Sequence, residues 1–267
     1  MRDVVGVIGL GAMGAPMAAN LDRAGYEVAS YDTRGDGSSG SVAEVAACAT
    51  RAVIVVVRTR PQVEEVVAQL DRAGLDVLIM STIDPSTMAH LAQDLARRGL
   101  TAVDAPVSGG VAGAEAGTLA IMVAGDPAAV ERCRPLLEVM GRSILVIGDR
   151  PGMGQAVKLA NQLMLTVSLL AVQEGLRLAG EYGLQPEDVL PVIERSTGAS
   201  WGRRQLGDGA ELVARLPAWR GAGRHRQGHA LSARLRRRAT RAAARGRAGI
   251  PAPARRLALT AAGALSR

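Results

Sequence analysis

Five residues dominated by β-branched side chains, Val4 to Ile8, run directly into Gly9-Leu10-Gly11-Ala12-Met13-Gly14, and that hexapeptide opens a helical stretch, Ala15 to Ala24. Strand, glycine turn and helix in that order narrow the fold more than any other feature of the chain. A lone G-x-G-x-x-G spacing is weak, because glycines gather at turns for steric reasons. Its setting strengthens it here: a strand before, a helix after, and an acid, Asp32, at the end of the next strand, Glu27 to Tyr31. In such a unit Gly9 permits the tight turn, Gly11 lets a pyrophosphate approach the backbone, and Gly14 lets the helix lie close to the strand. The expected dinucleotide site is therefore Gly9, Leu10, Gly11, Ala12, Met13 and Gly14, with Asp32, Thr33 and Arg34 at its adenosine end. Asp32 accepting from a ribose diol favours NAD, whereas Arg34 would meet the 2′-phosphate of NADP. Both cofactors stay open, with NAD ahead.

Strand and helix patterns then alternate. Helical stretches are expected at Val42 to Ala49, Pro61 to Ala73, Pro85 to Arg98 and Pro127 to Met140. Strands are expected at Ala52 to Val57, Val77 to Met80, Thr101 to Asp104, Leu119 to Ala124 and Ile144 to Ile147. This alternation implies an α/β fold: an N-terminal Rossmann domain with a parallel sheet and helices on both faces. From Gly154 to Gly183 the pattern becomes one long apolar helix, followed by a shorter one near Pro186 to Glu194, so an all-α C-terminal domain should follow. The expected division is 1–151 for dinucleotide binding, 152–211 for a helical substrate and dimerisation domain, and 212–267 for an atypical tail.

Charge separates that tail from the body. Residues 1–211 carry 18 basic and 25 acidic side chains, while 212–267 carry 14 arginines and no acid. The formal +7 of the whole chain is thus a property of its end, and nucleic-acid binding is a poor expectation for the body. Two cysteines, Cys48 and Cys133, and three scattered histidines supply neither a disulfide framework nor a metal-ligand spacing. No basic n-region with a cleavage site precedes the first strand, and no apolar run of about 18 residues lacks polar interruption. A cytoplasmic protein without metal or membrane is expected.

Two further segments carry candidate chemistry. Asp104-Ala105-Pro106-Val107-Ser108-Gly109-Gly110 follows a strand, where open α/β sheets bind ligands. It reads either as an ordinary glycine-rich loop or as an anion nest in which Ser108, Gly109 and Gly110 hold a carboxylate. Gly152-Met153-Gly154-Gln155-Ala156-Val157-Lys158 opens the long helix, with Asn161 and Gln162 one turn further on. Most lysines at such positions are simply solvated. Lys158, however, is the sole lysine of a chain with 32 basic residues, and a desolvated lysine can surrender its proton where arginine cannot.

Residues Val7 to Leu21, the Asp104 to Gly110 segment and the Lys158 helix together resemble the three signatures of the β-hydroxyacid dehydrogenase family, over about residues 4 to 200. The resemblance implies hydride transfer between a nicotinamide and a small hydroxy acid or semialdehyde carboxylate. It assigns Lys158 as proton donor or acceptor, Ser108, Gly109 and Gly110 to the substrate carboxylate, and an amide from Asn161 or Gln162 beside them. It also implies homo-oligomers. Imine reductases share the fold and glycine signature but generally lack this lysine, so Lys158 points to carbonyl chemistry.

The chain departs from the family twice. Between Asp32 and Ser41 it is shorter than typical relatives, which implies an element lost beside the adenosine pocket. After about Leu212 the family's helical pattern stops. One hypothesis is a reading-frame shift. With CGN arginine and CTN leucine codons, reading one nucleotide later permits Asp-Phe at 215–217, gives glycine at 219 and permits Lys-Asp at 227–228. The recovered glycine and lysine then stand eight codons apart, as in the family. Taken as written, the tail is a disordered appendage or a nucleic-acid arm; no aromatic residue follows Trp219 to stack on bases, which favours the appendage. A damaged C-terminal domain would leave a dinucleotide-binding protein with impaired catalysis.

Overall fold

The computed structural model describes residues 3–199. The expectations placed on the tail, frame shift included, fall outside the described residues.

Eight strands form one sheet: β1 (Val4–Ile8), β2 (Glu27–Tyr31), β3 (Ala52–Val55), β4 (Asp76–Ile79), β5 (Thr101–Asp104), β6 (Val107–Ser108), β7 (Leu119–Gly125) and β8 (Gly141–Gly148). The spatial order is β2-β1-β3-β4-β5-β7-β6, with β8 also pairing β7. Strands β2, β1, β3, β4 and β5 run parallel, with Val7 opposite Ser30 and Ile54, and Val55 opposite Ile79. Side chains alternate between the two faces, as the twofold period of a strand requires. Val53, Val55, Val77 and Ile79 enter one core, while Ala52, Ile54, Leu78 and Met80 enter the other.

Three helices close each face. α2 (Val42–Cys48), α3 (Arg60–Ala68) and α4 (Pro85–Arg97) cover the first, burying Val45, Val63, Val67, Met88 and Leu95. α1 (Gly14–Arg23), α5 (Gly110–Ala116) and α6 (Pro127–Met140) cover the second, burying Met17, Leu21, Ala114, Leu136 and Leu137. At the amino edge of the sheet Arg132 of α6 grips buried Asp76 with two nitrogens, at 2.8 and 2.7 Å. The neighbouring Cys133 thiol is pushed up to about 12 by burial, so it is an inert core group.

The structure corrects the expected sheet in several places. β7 is antiparallel to β5 and β6, because α5 ends at left-handed Gly117 (φ 66°) and turns the chain straight back. The segment that reads as a glycine-rich loop or an anion nest holds strand β6 and the start of α5. Helix α3 stops at Ala68 rather than Ala73: Arg98 takes the carbonyls of Val67 and Leu70 at 2.9 and 2.7 Å, and the chain bends toward β4. β8 is longer than its apolar stretch, since pairing with β7 runs from Gly141 to Gly148.

By density of contacts the chain divides after Val167, inside α7 (Met153–Gly180). The first unit holds the sheet and the opening of α7. In the second, α7 and α8 (Pro186–Glu194) bury Leu176 and Leu190 with Val172 and Val189 packed against them. By length and composition α7 could cross a membrane. The sequence expectation set it aside because polar residues interrupt its apolar run.

Candidate active site

Strand order reverses between β1 and β3, and the crevice at the carboxyl ends of such a pair is where open α/β sheets bind ligands. The glycine turn lies in that crevice. Gly9 adopts φ 98°, and a Cβ there would stand 2.7 Å from the Val56 carbonyl. A Cβ on Gly14 would stand 1.8 Å from the Gly9 carbonyl, so these two glycines are required by the turn itself. Gly11 differs, because a Cβ there would meet nothing within 4 Å. Its hydrogen faces open space that a ligand would fill.

The amides around it are equally informative. Gly9 N–H donates to the Tyr31 carbonyl at 2.9 Å and Leu10 N–H to Asp32 Oδ2 at 2.8 Å. Those of Gly11, Ala12 and Met13 have no acceptor among the described residues, and no side chain caps α1. A helix N-terminus with open donors beside a bare glycine fits a dinucleotide pyrophosphate.

Asp32 and Arg34 are brought together rather than left to compete. Asp32 Oδ1 accepts from Arg34 N at 3.0 Å and Arg34 Nε at 2.9 Å, while Arg34 Nη2 donates to the Leu10 carbonyl at 2.7 Å. The Arg34 backbone and guanidinium contacts, with the Leu10 amide, hold the Asp32 carboxyl below the usual carboxylate range. Thr33 is exposed beside them, and residues 33–41 contain neither helix nor strand. That stretch folds back on β2 instead, with Ser39 N–H on the Ser30 carbonyl at 2.9 Å.

At the other end of the crevice stands Asp104, the last residue of β5 and fully buried. Its Oδ2 accepts from Gly152 N–H at 2.8 Å and Gln155 N–H at 3.2 Å, and its Oδ1 accepts from Gln155 Nε2 at 3.0 Å. Burial pushes this carboxyl up, and the opposing backbone amides pull it back. Gln155 is also fully buried and reaches the segment just beyond β4: its Nε2 donates to the Ser81 carbonyl at 3.0 Å, and its Oε1 accepts from Ile83 N–H at 3.0 Å. Sequence reasoning placed both residues in motifs and gave neither a task. The available signal was an acid ending a buried strand and a glutamine just inside a helix start.

Lys158 follows one turn later on α7. It is 9% exposed, and no described residue offers it a hydrogen bond or counter-ion. Desolvation lowers the pKa of its ammonium. Asn161 is half-buried and Gln162 exposed, so the first lies nearer the line of buried positions. Ser108 sits in β6, Gly109 (φ 133°) caps α5 and Gly110 (φ 64°) begins it, both glycines in conformations closed to most residues. A Cβ on Gly110 would meet nothing within 4 Å.

A pyrophosphate-ready turn, an acid at the second strand and a partnerless buried lysine define the class: a nicotinamide-dinucleotide oxidoreductase with a Rossmann unit. Comparison with known proteins agrees. Residues 4–148 match the NAD binding domain of 6-phosphogluconate dehydrogenase, and 152–210 match the NAD-binding domain of NADP-dependent 3-hydroxyisobutyrate dehydrogenase. The chain is 38% identical to 2-(hydroxymethyl)glutarate dehydrogenase of Eubacterium barkeri, over 74% of this chain and 70% of that one. It is 40% identical to 2-hydroxy-3-oxopropionate reductase of Escherichia coli K12, over 68% and 67%. Among solved structures, Mycobacterium tuberculosis 3-hydroxyisobutyrate dehydrogenase with L-serine superposes at TM-score 0.68 and 35% identity, covering 76% of this chain and 73% of that one. The chain belongs to the β-hydroxyacid dehydrogenase family.

Proposed function

We propose that the protein interconverts a small hydroxy acid and its semialdehyde or keto form, with Lys158 as the group that moves the proton. The observation that carries this is Lys158 itself, the sole lysine of the chain, buried without a partner one turn after the helix start held by Asp104. The bound cofactor supplies hydride acceptance in one direction and hydride donation in the other. In oxidation the neutral Lys158 amine takes the hydroxyl proton; in reduction its ammonium returns one to the carbonyl oxygen. Ser108 and the amides of Gly109 and Gly110 hold the substrate carboxylate, with Asn161 or Gln162 beside them, which fixes the carbon presented for hydride transfer. The chemistry requires no metal.

Asp32 on the adenosine ribose makes NAD the preferred cofactor, since a 2′-phosphate would be set against its carboxylate. Arg34, tied to Asp32 and the Leu10 carbonyl, must turn outward before it could greet that phosphate. We place the enzyme in the cytoplasm as a homo-oligomer, with the apolar surface of α7 covered by protein and with no membrane or specific nucleic-acid partner.

Reduced-nicotinamide absorbance with 3-hydroxyisobutyrate, L-serine and tartronate semialdehyde tests the reading against both cofactors. Turnover of one of them, faster with NAD, supports it; cofactor binding without turnover on any small hydroxy acid sinks it. A second reading, a dinucleotide-binding protein without turnover, is favoured by one fact: the family-model match ends at residue 210, just before the acid-free arginine tail that starts at Leu212. The same assay separates the two.

A further inference from the structure

The first turn of α7 is fastened to the sheet in a way that proton transfer by itself does not require. Two adjacent strand ends hold it. From the end of β5, Asp104 receives the Gly152 and Gln155 amides and the Gln155 side chain. Just beyond β4, the Ser81 carbonyl and the Ile83 amide hold the same Gln155 side chain from its other edge. Gln155 thus has both of its polar atoms engaged on three partners while fully buried. The packing admits no slack: a Cβ on Gly154 would stand 2.5 Å from the Met122 carbonyl and 3.0 Å from Asp104 Oδ2. A Cβ on Gly152 would stand 2.7 Å from the Pro85 carbonyl.

A helix fixed at Gly152, Gly154 and Gln155 has its rotation and its height fixed as well. Lys158 lies three residues after Gln155 and four after Gly154, the spacing that shares one helical face. No described residue gives its ammonium a hydrogen bond or ion pair, so no polar contact of its own sets where the nitrogen lies. The turn beneath it does.

We propose that Asp104 and Gln155 are a pair of positioning residues that set the rotation of α7 and so aim Lys158 at the reacting carbon. The proposal rests on the reading of Lys158 as the proton carrier. Every group named in this network belongs to the unit that ends at Val167.

The single lysine makes the test clean. Protein labelled with 13Cε-lysine gives one resonance, whose titration reports the burial of Lys158 without any turnover. In Gln155→Met, which leaves the charge unchanged, the titration midpoint should rise toward that of free lysine, while kcat falls roughly 10²-fold and the NADH Kd stays within about twofold. Asp104→Asn should show the same split between kcat and Kd, together with a displaced 13Cε shift. A midpoint and kcat that both hold in folded Gln155→Met overturn the proposal. So does a joint collapse of kcat and Kd with the lysine signal unmoved, because that is a purely structural role. Should neither variant fold, hydrogen exchange on the unaltered protein decides: Gly152 and Gln155 amides exchanging as fast as a free helix end overturn it, and strong protection supports it. Full turnover by Lys158→Met would refute the proton-carrier reading, and the resonance would still report whether the pair places the lysine.

Discussion

Two helices begin at the carboxyl edge of one sheet, and their N-termini are finished in opposite ways. α1 starts at Gly14 with the amides of Gly11, Ala12 and Met13 lacking acceptors and with open space over Gly11. α7 starts at Met153 with a buried carboxylate, Asp104, in the place an anion would take. Both ends present the same partial positive charge. One leaves its amides open and the other satisfies them with an internal carboxylate. Other helices of the sheet are satisfied locally: Asp84, Asp126 and Ser41 cap α4, α6 and α2 from their own N-cap positions. α7 is distinguished because its acid comes from 48 residues away, across the fold.

The strongest break in this comparison is Lys158→Met. Turnover should fall about 10²- to 10⁴-fold with cofactor affinity retained, measured by steady-state rates beside a binding titration. The sign for stability is opposite. An ammonium whose pKa is depressed by burial destabilises the fold below that pKa, so at neutral pH the methionine variant should melt higher than the parent. Lys158→Arg should not restore turnover, because arginine keeps its proton. For the parent, the oxidation rate should climb with pH through the depressed lysine pKa and the reduction rate should fall through it.

Next in size are the glycines. Gly154→Ala pushes a methyl group at the Met122 carbonyl and should cost about 1–3 kcal/mol in denaturant unfolding along with turnover. Gly11→Ala should leave stability unchanged and weaken NADH binding roughly tenfold, about 1.4 kcal/mol. If Gly11→Ala destabilised the apo protein instead, the open turn would be structural and the contrast with α7 would fail.

The smallest effect concerns α4. Asp84 accepts from Ser86 and Thr87 side chains and from the Thr87 amide, which holds its carboxyl well below the usual carboxylate range. A folded-state pKa below the unfolded one contributes stability above the unfolded pKa and loses it as the pH falls toward the folded one. Asp84→Asn should therefore lower the melting temperature slightly at neutral pH and leave it nearly unchanged in acid, which flattens the acid limb of the profile.

Much of this was legible along the chain. The glycines at 9 and 14 follow from spacing between a β-branched run and a helix, since the turn has no room for a Cβ at either, and the open space over Gly11 accords with the same pattern. The parallel order of β1 to β5 follows from alternation. The antiparallel return of β7 was not legible, because a short apolar run carries no sign of direction. Ser108 to Gly110 look like a loop in sequence, and only pairing of Val107 with Ile121 and of Ser108 with Ala120 makes an edge strand of their start.

Sequence alone determined the strand, glycine turn and helix of the Rossmann unit, because turn geometry depends largely on neighbours a few residues apart. It also singled out Lys158, by contrast with 31 arginines. The tertiary structure alone decided that Asp104 and Gln155 meet, that Lys158 is desolvated without a counter-ion among the described residues, and that Arg34 lies on Asp32. Burial and distant hydrogen bonds arise from packing strands and helices that the chain separates by dozens of residues, and no local pattern records them.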